Sequence, residues 1–236
     1  MPFLSKRRCG VCSGPLTVHQ EVRGGICDET ACRRAQIDRA RTGRALAAAE
    51  EADPRPDRAP FVIVPADVAV LRPLAEKRGR RFRDHLNEVV PRAFTPGFVP
   101  QPYSPALLPS THEARVLAAA CGICRGHCCA TGRTHAWVDE DAIARARALL
   151  PGIRPARVLE VYLEHLPRVH CVGSCVFQTS AGCALPTPLR GSVCNGYFCP
   201  GLLALCDLLR GGARRVFVVA MDGLRVVRTG FVDVTP

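Results

Sequence analysis

The sequence predicts an α+β fold stabilised by metal: helix-rich, with irregular cysteine-rich loops and a C-terminal β-hairpin. Three observations carry this reading. Most of the 14 cysteines fall into two clusters, one near the N-terminus and one spread over residues 121–199. Several runs of helix formers carry recognisable start signals. The last segment, RRVFVVAMDGLRVVRTGFVDV, sets two valine-rich runs about an Asp-Gly turn centred on Met221-Asp222-Gly223-Leu224, which reads as a hairpin.

In chain order, CGVC (Cys9, Cys12) and CDETAC (Cys27, Cys32) enclose fourteen residues with turn signals at Ser13-Gly14-Pro15 and Gly24-Gly25. This pattern predicts a knuckle, a short hairpin and a second cysteine pair. RRAQIDRARTGRALAAAEEA then predicts a helix whose first turn holds Cys32, with Asp28, Glu29 and Thr30 available as caps. DPRPDRAP (53–60) is a linker, FVIVP (61–65) a short strand, and residues 75–90 a polar helix with Phe82, Leu86 and Val89 on one side. Residues 91–110 are proline-rich and are expected to run extended. Ser110-Thr-His-Glu113 has the spacing of a capping box and opens a helix that ends at Cys121. Asp139 and Pro155 start two further helices, and Gly201–Leu209 forms a short apolar one. The expected divisions are 1–52, a zinc-knuckle module with its helix; 53–110, a connection with a short strand and helix; and 111–236, a cysteine-cluster domain.

A C-x2-C pair places two sulfurs on one tight turn, and a later pair can complete a tetrahedron. Cys9, Cys12, Cys27 and Cys32 are therefore the candidate ligands of a structural zinc ion. The second cluster differs. In CGICRGHCC, three of Cys121, Cys124, Cys128 and Cys129 can converge, but adjacent residues rarely bind one tetrahedral ion. A fourth ligand must come from farther on, where Cys175, Cys183, Cys194 and Cys199 form the supply. Eight thiols suffice for two four-ligand sites, or for one site with Cys128 or Cys129 left to packing. Zinc and an iron–sulfur cluster both accept all-thiolate spheres, so spacing leaves the metal open.

CGICRGHCC followed by GSCVFQTSAGCALPTPLRGSVC resembles the YkgJ-type cysteine-cluster family, described as a zinc- or iron-chelating domain. The resemblance covers about residues 118–200 and implicates Cys121, Cys124, Cys128, Cys129, Cys175, Cys183 and Cys194. The family's Arg-Pro is Arg190-Gly191 here, and the Tyr that follows its Gly-Cys is missing from ALPTPL. Because the family includes flagellin lysine N-methylases, the resemblance also implies a protein lysine methylase-like activity as one alternative. No methyl-donor site is identifiable among these residues.

Other residues draw plainer readings. Cys206 sits mid-helix as a small buried hydrophobe, Cys171 is open between ligand and core, and Trp137 packs over the motif. His127 is open between a metal ligand, a donor to one and a loop residue; His135 and His165 have no metal role. A cysteine nucleophile needs one singled-out thiol beside a base, and several compete here. Catalytic residues are not assigned.

The formal charge of +11 counts every cysteine as neutral, and thiolate ligation lowers it. A basic surface suits nucleic acid or an acidic protein partner. No apolar run reaches membrane-spanning length and no secretory leader is recognisable, so the expected address is the cytoplasm and no membrane partner is expected. The function expected is metal binding, with a role accessory to redox or protein-modification chemistry. The alternative is a zinc-stabilised adaptor for nucleic acid or protein.

Overall fold

A computed structural model describes residues 4–102 and 110–233. The chain separates into two compact units, one made of Met1–Arg58 with Gly223–Val226 and the other of Ala59–Asp222 with Val227–Pro236. Helices and small sheets are mixed in it, as an α+β fold requires.

In the first unit, β1 (Leu4–Arg8) pairs antiparallel with β2 (Pro15–Thr17) around the CGVC turn. The short helix α1 (Val18–Val22) follows, started by a capping box in which Thr17 accepts from the Gln20 amide and Gln20 accepts from that of Thr17. The hairpin thus flanks the first cysteine pair; the stretch between the pairs, expected to be a hairpin, holds a strand and one helical turn. The long helix α2 (Thr30–Ala52) begins as expected, with Cys32 in its first turn. Its N-cap, Glu29, makes no side-chain cap, and Asp28 is instead held by Gln20 Nε2 at 2.7 Å and by Arg33. Of α2 only Cys32, Ala45 and Ala49 are buried.

The second unit has two apolar cores. One lies against a three-stranded sheet ordered β3 (Phe61–Pro65), β8 (Arg215–Asp222), β9 (Arg225–Asp233). β3 and β8 run parallel in the register Phe61 to Phe217 through Pro65 to Met221, while β8 and β9 form the expected hairpin. Every side chain from Val216 to Met221 is buried, as befits a central strand covered on both faces. Helices α4 (Thr111–Cys124) and α8 (Pro200–Arg210) cover it with Val116, Leu117, Leu202 and Leu205. The second core joins α3 (Glu76–Ala93), α5 (Glu140–Leu149) and α6 (Pro155–Glu164) through Phe82, Leu86, Ile143, Tyr162 and Phe177.

Two small ribbons complete the unit: β4 (Leu71–Pro73) with β5 (Val169–Cys171), and β6 (Gln178–Thr179) with β7 (Gly182–Cys183). A further short helix, α7, spans Ser192–Gly196.

The structure corrects two expectations. α3 continues through Pro91 to Ala93, because Val89, Val90 and Ala93 are buried in the core and packing outweighs the break; the rest of the proline-rich run falls in part on 103–109, outside the described residues. α4 does not stop at Cys121 but reaches Cys124, so these two cysteines share one helical face. Segment 53–110 holds a strand and a helix, as expected, with β3 in the sheet and α3 in a core.

Candidate metal centres

The N-terminal cysteines converge. The Sγ atoms of Cys9, Cys12, Cys27 and Cys32 all lie within 4.8 Å of one another, and those of Cys12 and Cys27 are 3.7 Å apart. A tetrahedral zinc with bonds of about 2.3 Å has sulfur–sulfur edges of about 3.8 Å, so the donor set fits that ion. Backbone geometry produces the fit. The Ser13 amide donates to Cys9 O at 2.9 Å with Ser13 in a left-handed conformation, which closes the turn and presents Cys9 and Cys12 on one side. Gly24 and Gly25, both with positive φ, bring the second pair back. Across the site the Gly10 amide donates to Gly25 O at 3.0 Å, and Arg39 Nη1 on α2 donates to Gly10 O at 3.1 Å.

The electrostatics suit thiolates that share a cation. The Cys27 amide donates to Cys9 Sγ at 3.4 Å, and the Gly14 amide to Cys12 Sγ at the same distance. Amide donation, first from Cys27 and then from Cys12, lowers the Cys9 thiol to about 6, whereas hydrogen bonding to Cys27 and burial push Cys32 up to about 12. Four thiols so close cannot ionise together unaided, and a bound soft cation would take the place of their protons. Cys9, Cys27 and Cys32 with Leu16 also form a buried cluster, flanked by Val11 and Ile26.

Among the described residues, this is the set of three or more such ligand atoms within 4.8 Å of one another. The eight later cysteines are gathered less tightly. α4 carries Cys121 and Cys124; Arg125 and Gly126, both left-handed, turn the chain back into a short 3-10 turn, His127–Gly132, that carries Cys128 and Cys129. A side chain at Gly126 would come within 2.5 Å of Gln178 and 3.0 Å of Cys129 Sγ. Cys199 is the N-cap residue of α8, Cys183 lies on β7, and Cys194 on α7. Gly122 on α4 faces the β6–β7 turn, where a Cβ would sit 3.2 Å from Ala181.

Burial, followed by Cys128, Cys124 and Cys199, pushes Cys121 up to about 12; burial likewise pushes Cys124 to about 11, Cys175 to about 12 and Cys194 to about 11. Cys128 is lowered to about 7, mainly by hydrogen bonding with Cys129, whose own thiol is pushed well up by the same contact. Amides already point at several sulfurs: His127 N donates to Cys124 Sγ at 3.3 Å, and Leu202 and Gly201 donate to Cys199.

The two remaining cysteines are buried. Cys206 is buried in the sheet-side core, and Cys171 is buried in β5, paired with Leu71. Trp137 has its ring edge-on to that of His135 at 5.0 Å, and a Cβ at Gly191 would lie 1.8 Å from Trp137 O.

Three arginines around these thiols were not legible in advance. Arg228 on β9 donates to Ile123 O at 2.7 Å, Asp67 O at 2.6 Å and Cys124 O at 3.0 Å, and so caps the end of α4. Arg190 acts electrostatically on Cys121 and Cys194, and Arg78 on Cys175. No local motif marks a partner so distant in sequence as Arg228.

Among the described residues no helix is long and apolar enough to cross a membrane. Comparison with known proteins returns no matching family model, no matching curated protein and no matching solved structure, so the resemblance stands at the level of a cysteine-cluster module that can chelate metal, with no named family behind it.

Proposed function

We propose that this chain is a cytoplasmic metal-binding protein with a structural zinc at Cys9, Cys12, Cys27 and Cys32. A second, all-cysteine region drawn from Cys121, Cys124, Cys128, Cys129, Cys175, Cys183, Cys194 and Cys199 holds zinc or an iron–sulfur cluster. The observation that carries the reading is the convergence of the four N-terminal sulfurs to within 4.8 Å, with a 3.7 Å edge close to that of a zinc–thiolate tetrahedron. Burial of the later thiols adds to it, since buried sulfurs that repel one another as thiolates gain most from a shared cation. The role is structural at the first site and accessory to redox or protein-modification chemistry at the second.

The test is metal and acid-labile sulfide analysis of the anaerobically purified full chain, with a visible spectrum. Wild-type protein should carry zinc, and Cys27→Ser should lose one equivalent of it. A metal-free wild type would sink the reading.

One observation favours a second reading, an adaptor. Arg33, Arg34, Arg39 and Arg44 are exposed on the part of α2 before Ala45, where Cys32 is the one buried residue. A zinc-stapled helix that shows arginines to solvent can engage nucleic-acid phosphates. Replacing those four with glutamine should weaken binding to a duplex oligonucleotide and flatten its salt dependence; wild-type binding that ignores salt would refute the adaptor.

A further inference from the structure

The eight later cysteines do not sit around one point. Cys124 and Cys199 are buried in the sheet-side core, with Cys121 packed against it. Cys175 is buried in the helical core, with Cys129 and Cys183 packed against that one. The two exposed members lie where these groups meet. Cys128 follows Cys124 on the turn that closes α4 and interacts electrostatically with Cys121, Cys124 and Cys199, and also with Cys129 and Cys194. Cys194 donates from its thiol to Ala136 O at 3.7 Å, in the helical core, and interacts first with Cys183.

From this division we propose two separate four-thiolate centres, Cys121, Cys124, Cys128 and Cys199 in one and Cys129, Cys175, Cys183 and Cys194 in the other. Each takes zinc or an iron–sulfur cube, and the Cys128–Cys129 peptide is their common boundary. The proposal rests on the reading that this region binds metal, and adds how many centres there are and which residues hold each.

Elementary geometry supports the boundary. Cys128 and Cys129 are adjacent on one short 3-10 turn and touch through their side chains, so the two groups of ligands meet at that peptide. Cys121 and Cys124, three residues apart on α4, lie on one face and serve one centre. Cys199 reaches them because α8 packs beside α4 on the sheet, with Leu202, Leu205 and Leu117 in the same core. On the other side the β6–β7 ribbon sets Cys183 opposite Gln178, three residues after Cys175. Charge is also distributed between the two. A four-thiolate centre of either kind carries about −2, and Arg190 acts on one cysteine of each set while Arg78 faces Cys175.

The experiment counts zinc, iron and acid-labile sulfide per chain in the anaerobically purified full-length protein, before and after single substitutions. Wild type should hold two centres beyond the N-terminal zinc: two more zinc ions, two cubes with their sulfide, or one of each. Cys128→Ala and Cys199→Ala should each lose one centre, and Cys129→Ala and Cys183→Ala the other. Cys128→Ala combined with Cys129→Ala should lose both, while Cys128→Ala combined with Cys199→Ala should lose no more than either alone. A single centre in the wild type, or Cys128→Ala and Cys129→Ala depleting the same one, overturns the division while leaving metal binding intact. No metal beyond the N-terminal zinc would instead overturn the metal reading of this region. If a variant fails to fold, the wild-type count still decides between one centre and two.

Discussion

At the scale of single residues, the buried polar groups beside the second cysteine region are the most exacting. His170 is 3% exposed, and its Nε2 lies 3.0 Å from Arg78 Nη1. A guanidinium only donates, so Nε2 accepts and the ring proton sits on Nδ1, which is buried without a partner, as is Ser174 Oγ. Burial, and then the Arg78 charge, hold His170 below its ordinary value. The sign follows: a depressed folded-state pKa contributes stability above about 6.5, and this is lost as pH falls through the folded value. Urea unfolding between pH 7 and 5 should therefore show wild type losing more stability than His170→Gln. Equal losses would mean that His170 does not titrate with unfolding.

Glycines give a second test at the scale of elements, because their neighbours differ so sharply. Gly201, in the first turn of α8, lies where a Cβ would be 2.1 Å from Ile63 O on β3. Gly201→Ala should cost about 1–3 kcal/mol by forcing helix and strand apart. Gly43, in the middle of α2, has nothing within 4 Å of such a Cβ, and Gly43→Ala should stabilise that helix by about 1 kcal/mol. Thermal or urea unfolding of the two variants reads both signs. Arg228→Met is a third change of this kind. It leaves the carbonyls of Ile123, Asp67 and Cys124 without their donor, and a loss of about 1–3 kcal/mol should appear in the same assay. Helix starts were largely legible in the sequence. The capping box at Ser110 and the Asp139 cap form as their spacing predicts, with Asp139 Oδ1 accepting from Ala142 N at 2.8 Å. Helix ends were less so. α3 passes Pro91 and α4 passes Cys121 because the next apolar positions, Ala93 and Cys124, are buried by elements far away in sequence.

At the scale of the whole molecule, the two units depend on metal to different degrees. In the N-terminal unit one buried cluster among the described residues is Leu16 with three cysteines that are themselves candidate ligands. In the other unit an unbroken run from Val216 to Met221 is buried in a parallel-paired strand. Removing metal with a chelator should therefore abolish amide-exchange protection around Cys9–Cys32 while β3 and β8 stay protected. Protection retained at Cys9–Cys32 after complete zinc removal would show that this unit folds without its ion.

The sequence by itself determined the α+β class, the strand at Phe61–Pro65, the C-terminal hairpin and the N-terminal cysteine quartet. All of these are local: a two-residue spacer puts two sulfurs on one turn, and an Asp-Gly between valine runs reverses the chain. Tertiary structure alone decided the rest. That β3 lies beside β8, that Arg228 ends α4, and that Cys124 and Cys199 share one core while Cys129 and Cys183 pack against the other all depend on elements tens to more than a hundred residues apart. No spacing rule reaches that far, because which sulfurs meet is fixed by how α4, α8 and the ribbon pack, and that packing is set by apolar burial rather than by the cysteines.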